Sequence, residues 1–188
     1  MKHIVTMGLT LTFAIAGAYA QQITAKMTLS GTAAPSTVDL GTGTPASEYN
    51  LAGNGTLGSF TLRTLSASTP APGQSSTCSG ANQLYASVVA GTGVFRFQDG
   101  SLLKVNLTDG SDCIDFAAQQ ALCIRIFKIT GGTGRFKDAS GKDVTLTMTV
   151  VPVSADASGN PVFFAITGDF TGTVSGVAME EQSQDARR

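Results

Sequence analysis

Histidine is nearly absent: the single one, His3, lies in a leader-like segment expected to be removed. A chain without histidine has no Ser-His-Asp triad, no Cys-His pair and no imidazole metal ligand, so most hydrolase mechanisms and most zinc sites are excluded. Tryptophan is missing and charged residues are sparse, at 13%, with no basic cluster outside the terminal Arg187-Arg188. Nucleic acid is therefore not an expected partner. Long apolar runs are also lacking. The longest, Ile4 to Ile15, is too short to span a bilayer, so no membrane span is expected. Helical periodicity is absent too, with Cys113 to Ala121 the one stretch that could carry a helical turn or two.

Lys2, the short apolar run and the small residues Gly17-Ala-Tyr-Ala20 have the form of a signal peptide over residues 1–20, with cleavage after Ala20. The expected product is exported, secreted or periplasmic. Residues 21–177 are then enough for one domain with a sizeable core, and 178–188 form a polar tail. In an oxidising compartment the three cysteines, 78, 113 and 123, invite one disulfide. Cys113 and Cys123 are nearest in sequence and are the expected pair, with Cys78 to either as the alternative.

Strands dominate what is present. Ile23, Ala25, Met27 and Leu29 alternate with polar residues, as do Leu103, Val105 and Leu107, and Val144, Leu146, Met148 and Val150. A period of two marks half-buried strands. Phe95 and Phe97 point one way before the tight Asp99-Gly100 turn, and Phe164, Ile166 and Phe170 share a face of the last strand. Gly31 to Ala52 reads as a long loop or weak strand, and Ser66 to Asn82 as a surface loop. Glycines at 91, 93, 131, 132 and 134 fall where strands should bend, recur about forty residues apart with Gly53 and Gly55, and are structural requirements rather than ligand contacts. The expected fold is all-β, a single antiparallel barrel of about eight strands with Gly-rich corners.

Gly53 to Gly58 matches a dinucleotide-binding spacing, but no helix follows it, and the Gly131 run lacks the Lys-Ser/Thr of a phosphate loop. Asp109, Asp112 and Asp115 are close enough for a calcium loop yet fit no EF-hand pattern. Asn54-Gly-Thr56 and Asn106-Leu-Thr108 are glycosylation sequons. On the inward faces as alternation assigns them there is no charge, with Lys26, Arg96, Lys104 and Arg125 outward. No catalytic, cofactor or metal residue emerges from that reading. The lumen lining would be Phe95, Phe97, Leu103, Val105, Met148, Phe164, Ile166 and Phe170. A wholly apolar lumen would admit a neutral ligand, or an amphiphile with its head left at the mouth.

The stretch Gly91 to Phe97, the Asp99-Gly100 turn, Cys113, and Ile129-Thr-Gly-Gly-Thr-Gly-Arg-Phe136 through Gly141 resemble exported proteins of the allene oxide cyclase-like barrel group, which is related to plant dirigent proteins. The resemblance covers about Leu84 to Gly176. It implies an eight-stranded barrel with an apolar interior, often a homo-oligomer, whose plant relatives include a fatty-acid epoxide cyclase and proteins that guide phenoxy-radical coupling. Their polar pocket residues match no position here, so no role is carried across. Three functions stay open: a binding module for a hydrophobic small molecule, a structural or surface-interaction protein with a packed interior, and a cyclase-like isomerase. A packed or a hollow interior separates the first two, and an inward acid would favour the third.

Overall fold

The computed structural model describes residues 21–41, 43–44, 46–69, 72–78, 80 and 82–178. The expected leader at 1–20 and nearly all of the polar tail lie outside the described residues. Eight antiparallel strands close into one barrel in chain order: β1 (Gln21–Ser36), β2 (Ala46–Gly55), β3 (Phe60–Ser68), β4 (Gln83–Phe97), β5 (Leu102–Asp115), β6 (Gln120–Gly132), β7 (Gly141–Ala155) and β8 (Pro161–Val177). The ladder between β1 and β8 completes the circle. Closure leaves no unpaired sheet edge, which answers how so strand-rich a chain avoids edge-to-edge association. Among the described residues no helix is long and apolar enough to cross a membrane.

Two local expectations are corrected. The segment read as a loop from Gly31 contains the end of β1 and most of β2, paired from Ser36↔Ala46 to Met27↔Gly55. Its small and polar residues hide the strand, since ladder hydrogen bonds come from the backbone and only alternate side chains need to be apolar. The stretch from Cys113 to Ala121 is not helical. It is the end of β5, a turn, and the start of β6.

One half of the barrel is solid. Phe95 packs against Phe60 and Phe170 with ring centroids 5.3 and 4.9 Å apart, and Phe97 against Phe136 at 4.6 Å. Leu103, Val105, Met148 and Ile166 are buried in the same core. This end is stoppered by a 3₁₀ turn, Gly134–Phe136, whose Arg135 lies over the Phe97 and Phe136 rings and pairs with Asp99 at 2.9 Å. A cation over aromatic faces and a carboxylate together fix the plug.

Gly131 and Gly134 have φ of 114° and 57° in this corner. Gly132 is constrained differently. A Cβ there would sit 2.0 Å from the Leu102 carbonyl oxygen and 2.8 Å from that of Phe136. Both obstacles are backbone, so neither can rotate away. Gly132→Val is expected to cost about 1–3 kcal/mol through overpacking, read as a lower urea midpoint, and an unchanged midpoint would contradict the close approach. Gly91 and Gly93, by contrast, lie within the unbroken β4 at negative or extended φ, where a Cβ would press on Leu65, Thr64 and Val105.

Candidate functional site

The other half of the barrel is neither solid nor wholly apolar. Arg125 is only 2% exposed and points into the lumen, which overturns the outward placement that alternation suggests. Inward on β6 are Cys123, Arg125, Phe127 and Ile129, all buried, whereas Leu122 and Lys128 face out. On the facing strand Asp112 is inward as well, because a register shift between Leu107 and Asp109 resets the parity of β5 and sets Gly110 opposite Arg125.

A hydrogen-bonded cluster follows from this pairing. Arg125 Nη1 donates to Asp112 Oδ1 at 2.7 Å and to the carbonyls of Ile124 and Ser111 at 3.0 and 3.2 Å. Its Nη2 donates to Tyr49 Oη at 3.3 Å, and the Ser68 hydroxyl donates to Asp112 Oδ2 at 2.7 Å. Arg125 Nε has no hydrogen-bond partner among the described residues. Since the guanidinium fills the acceptor role of Tyr49, the phenol keeps its own proton to donate. One cation and one anion share the cluster, so its net charge is zero.

Above it opens a cavity of about 380 Å³. Ser47, Tyr49, Ser68, Asp112 and Cys123 make its polar side, and Ala33, Ala86, Ile114, Ala121, Val150 and Phe164 make the apolar wall, with Thr69 and Pro72 of the β3–β4 loop closing one flank. Of the residues expected to line a lumen, Phe164 alone reaches this cavity. Phe95, Phe97, Leu103, Val105, Met148, Ile166 and Phe170 fill the barrel instead. The three neighbouring acids do not converge: Asp112 is in the cluster, while Asp109 accepts from the Gly110 N–H and Asp115 from the Ala118 N–H.

The disulfide also differs from expectation. Cys78 is bonded to Cys113, and Cys123 is a free, buried thiol. In the β5–β6 ladder Cys113 is opposite Leu122 and Cys123 opposite Asp112. The two cysteines therefore project from opposite faces of the sheet, and no rotamer brings their sulfurs together. A Cys78–Cys113 bridge fits an oxidising compartment.

Burial pushes the Cys123 thiol up, Asp112 adds to the rise and Arg125 opposes it. Burial likewise raises Tyr49 against the pull of Arg125. For Arg125 burial works toward a lower value, but Tyr49 and Asp112 outweigh it and the guanidinium stays charged. The cavity thus presents a phenol and a thiol that hold their protons beside an ionically paired carboxylate. A pH dependence follows. In the unfolded chain Cys123 ionises near about 8.5 while the folded chain keeps the proton. Above that pH the unfolded state binds fewer protons, so stability is complete below about pH 8.5 and falls as pH rises, by at most about 1.4 kcal/mol per unit for one group. Tyr49 adds to the fall only at higher pH. Urea unfolding from pH 8 to 10 should show the decline, and Cys123→Ala should flatten it. An equal slope in the variant would show that the thiol is not the group responsible.

No family model matches the chain, and no curated protein matches it. Among solved structures, a pterocarpan synthase dirigent protein is similar at 10% identity and a TM-score of 0.37, over 89% of this chain and 99% of that one. The eight-stranded closure rests on the strand ladder itself.

Proposed function

We propose that this chain is an exported barrel whose open end binds a small, mostly apolar molecule carrying one hydrogen-bonding head. The observation that supports it is the half-filled lumen: aromatic packing at one end, and at the other a cavity of about 380 Å³ with apolar walls and the Tyr49–Arg125–Asp112 cluster at its base. Concave, chiefly apolar sites with a few fixed polar groups are what small ligands occupy. A polar cluster inside a barrel is costly where well-packed apolar residues would serve stability as well. The head group then points inward to the phenol and carboxylate, not out to the mouth as an uncharged lumen would require. A structural role alone gives no reason for such a cluster.

A second reading is favoured by the inward acid. Asp112 and Tyr49 face the same cavity and are linked through one guanidinium, which places a base and a proton donor beside any bound carbonyl or alcohol. On that reading the protein is an isomerase-type enzyme.

Titration of the folded protein with an environment-sensitive apolar fluorophore should give saturable binding. Ala121→Trp, which fills the mouth of the cavity from a half-buried position, should weaken it at least tenfold with an unchanged melting temperature. Binding that ignores this substitution, or saturable binding of a sugar or nucleotide in its place, would refute the site.

A further inference from the structure

The cavity does not end at its rim. A second cavity of about 380 Å³ adjoins it, lined by Asp115, Phe116, Gln119 and Gln120 of the β5–β6 turn region and by Pro152, Gly159 and Pro161 around the β7–β8 turn. Ile114, Ala121, Val150 and Phe164 line both, so the two spaces lie against one shared wall. Beyond it Phe116 is 64% exposed in the β5–β6 turn, and on the outer face at the same end of β7 and β8 Val151, Val153, Val162 and Phe163 are exposed as well. Exposed apolar residues of this size at one end of the barrel mark a contact surface.

Basic residues are segregated along the barrel, whereas acids stand at both ends, Asp99, Asp138 and Asp143 at the stoppered one. Lys26, Arg96, Lys104, Lys128, Arg135, Lys137 and Lys142 all lie toward the stoppered end, and Arg63 is paired with Glu48. Among the described residues the connections at the open end carry no lysine or arginine, but they do carry Asp39 and Asp156, with Asp115 at the end of β5. The Asp156 carboxyl is held below its ordinary range by the backbone N–H of Asn160, with Ser158 and Gly159 adding to it, and stays ionised. A ligand carboxylate would pass an acidic rim and then meet a cluster whose one cation is already neutralised. Its desolvation would go uncompensated.

We infer that the two cavities form one extended site for an elongated, uncharged amphiphile, a long-chain alcohol or ketone, with its oxygen at Tyr49 and Asp112 and its chain laid past Phe164 onto Phe116, and that the site discriminates against the matching carboxylate. This rests on the binding role proposed above. The head-group oxygen accepts from the Tyr49 phenol, and an alcohol can in turn donate to Asp112. The chain leaves the first cavity between Val150 and Phe164 and is covered by the proline-bounded turn.

The test is displacement of the bound fluorophore from the full chain by 2-alkanones of six to fourteen carbons and by alkanoates of equal length at pH 7. Affinity for the ketones should rise about three- to fourfold per added methylene until the second cavity is filled, and each alkanoate should bind at least tenfold more weakly than its ketone. Phe116→Ser, at an exposed position, should erase the gain for the long ketones and leave the six-carbon one unchanged. Carboxylates that bind as well as ketones, or an affinity independent of chain length while short ketones still bind, would overturn the extended site alone. Failure of every compound to displace the probe would overturn the binding role with it. A change of oligomeric state in Phe116→Ser, seen by light scattering without any change in ketone affinity, would assign the rim to self-association and also defeat the inference.

Discussion

Arg125→Met should lower the stability of the barrel by about 3–5 kcal/mol, the range for breaking a buried ion pair from one side. The guanidinium carries four hydrogen bonds at the base of the lumen, and without it the Asp112 carboxylate keeps the Ser68 hydroxyl and the Cys123 thiol but no cation. That carboxylate then either stays charged in an apolar surrounding or takes up a proton. Either outcome costs stability that the parent, with its ion pair intact, does not lose. The double variant Arg125→Met with Asp112→Leu removes both charges and should recover most of the loss, because an apolar replacement of similar bulk has no desolvation to offset. Urea unfolding of the three proteins at pH 5 and pH 7.5 decides it. A single variant within about 1 kcal/mol of the parent at both values would mean that the cluster is solvated and not a closed ion pair. The recovered double variant also separates folding from binding: if the cluster is there for a ligand head group, it should be stable and yet give an alcohol no advantage over the matching ketone, since only the alcohol donates to Asp112.

Much of the barrel is legible in the alternation of β1, β5, β7 and β8, where threonine and lysine mark the outer face so plainly that inward sets such as Val144, Leu146 and Met148 declare themselves. The site is not legible in the same way. On β6 the outward residues Leu122, Ile124 and Ile126 are as apolar as the inward ones, so the contrast that identifies a face vanishes where Arg125 sits. Phase could have been counted back from the end of the strand: Lys128 and Thr130 must face water, which puts Phe127 and Ile129 inside and, two residues earlier, Arg125 with them. For Asp112 that count fails, because the register shift between Leu107 and Asp109 changes the phase within one strand. The disulfide expectation fails for a different reason, since closeness in sequence carries no information about which face a cysteine occupies.

Replacing Cys78 and Cys113 together by serine should lower stability by roughly 3–4 kcal/mol, the loop-closure term for residues 35 apart in sequence. A bridge between Cys113 and Cys123, closing about ten residues across an already formed hairpin, would contribute less on that relation. The stabilisation acts mainly on the unfolded chain, by tying β4 and the β3–β4 connection to β5 before either ladder forms. It therefore need not be mirrored at the cavity. Thr69 and Pro72, which flank the site, are placed by contacts of their own: the Thr69 N–H donates to Ser87 O at 2.8 Å, and Gly73 and Tyr85 exchange two backbone hydrogen bonds of 2.8 and 2.7 Å. Ligand affinity in the double serine variant, measured well below its unfolding transition, should consequently stay within about threefold of the parent while the urea midpoint falls. Non-reducing peptide mapping of the parent should show Cys78 linked to Cys113, and Cys123 open to alkylation only after unfolding, since the folded thiol is buried and protonated. A Cys113–Cys123 peptide would overturn the pairing, and with it the assignment of those residues to opposite faces of the barrel wall.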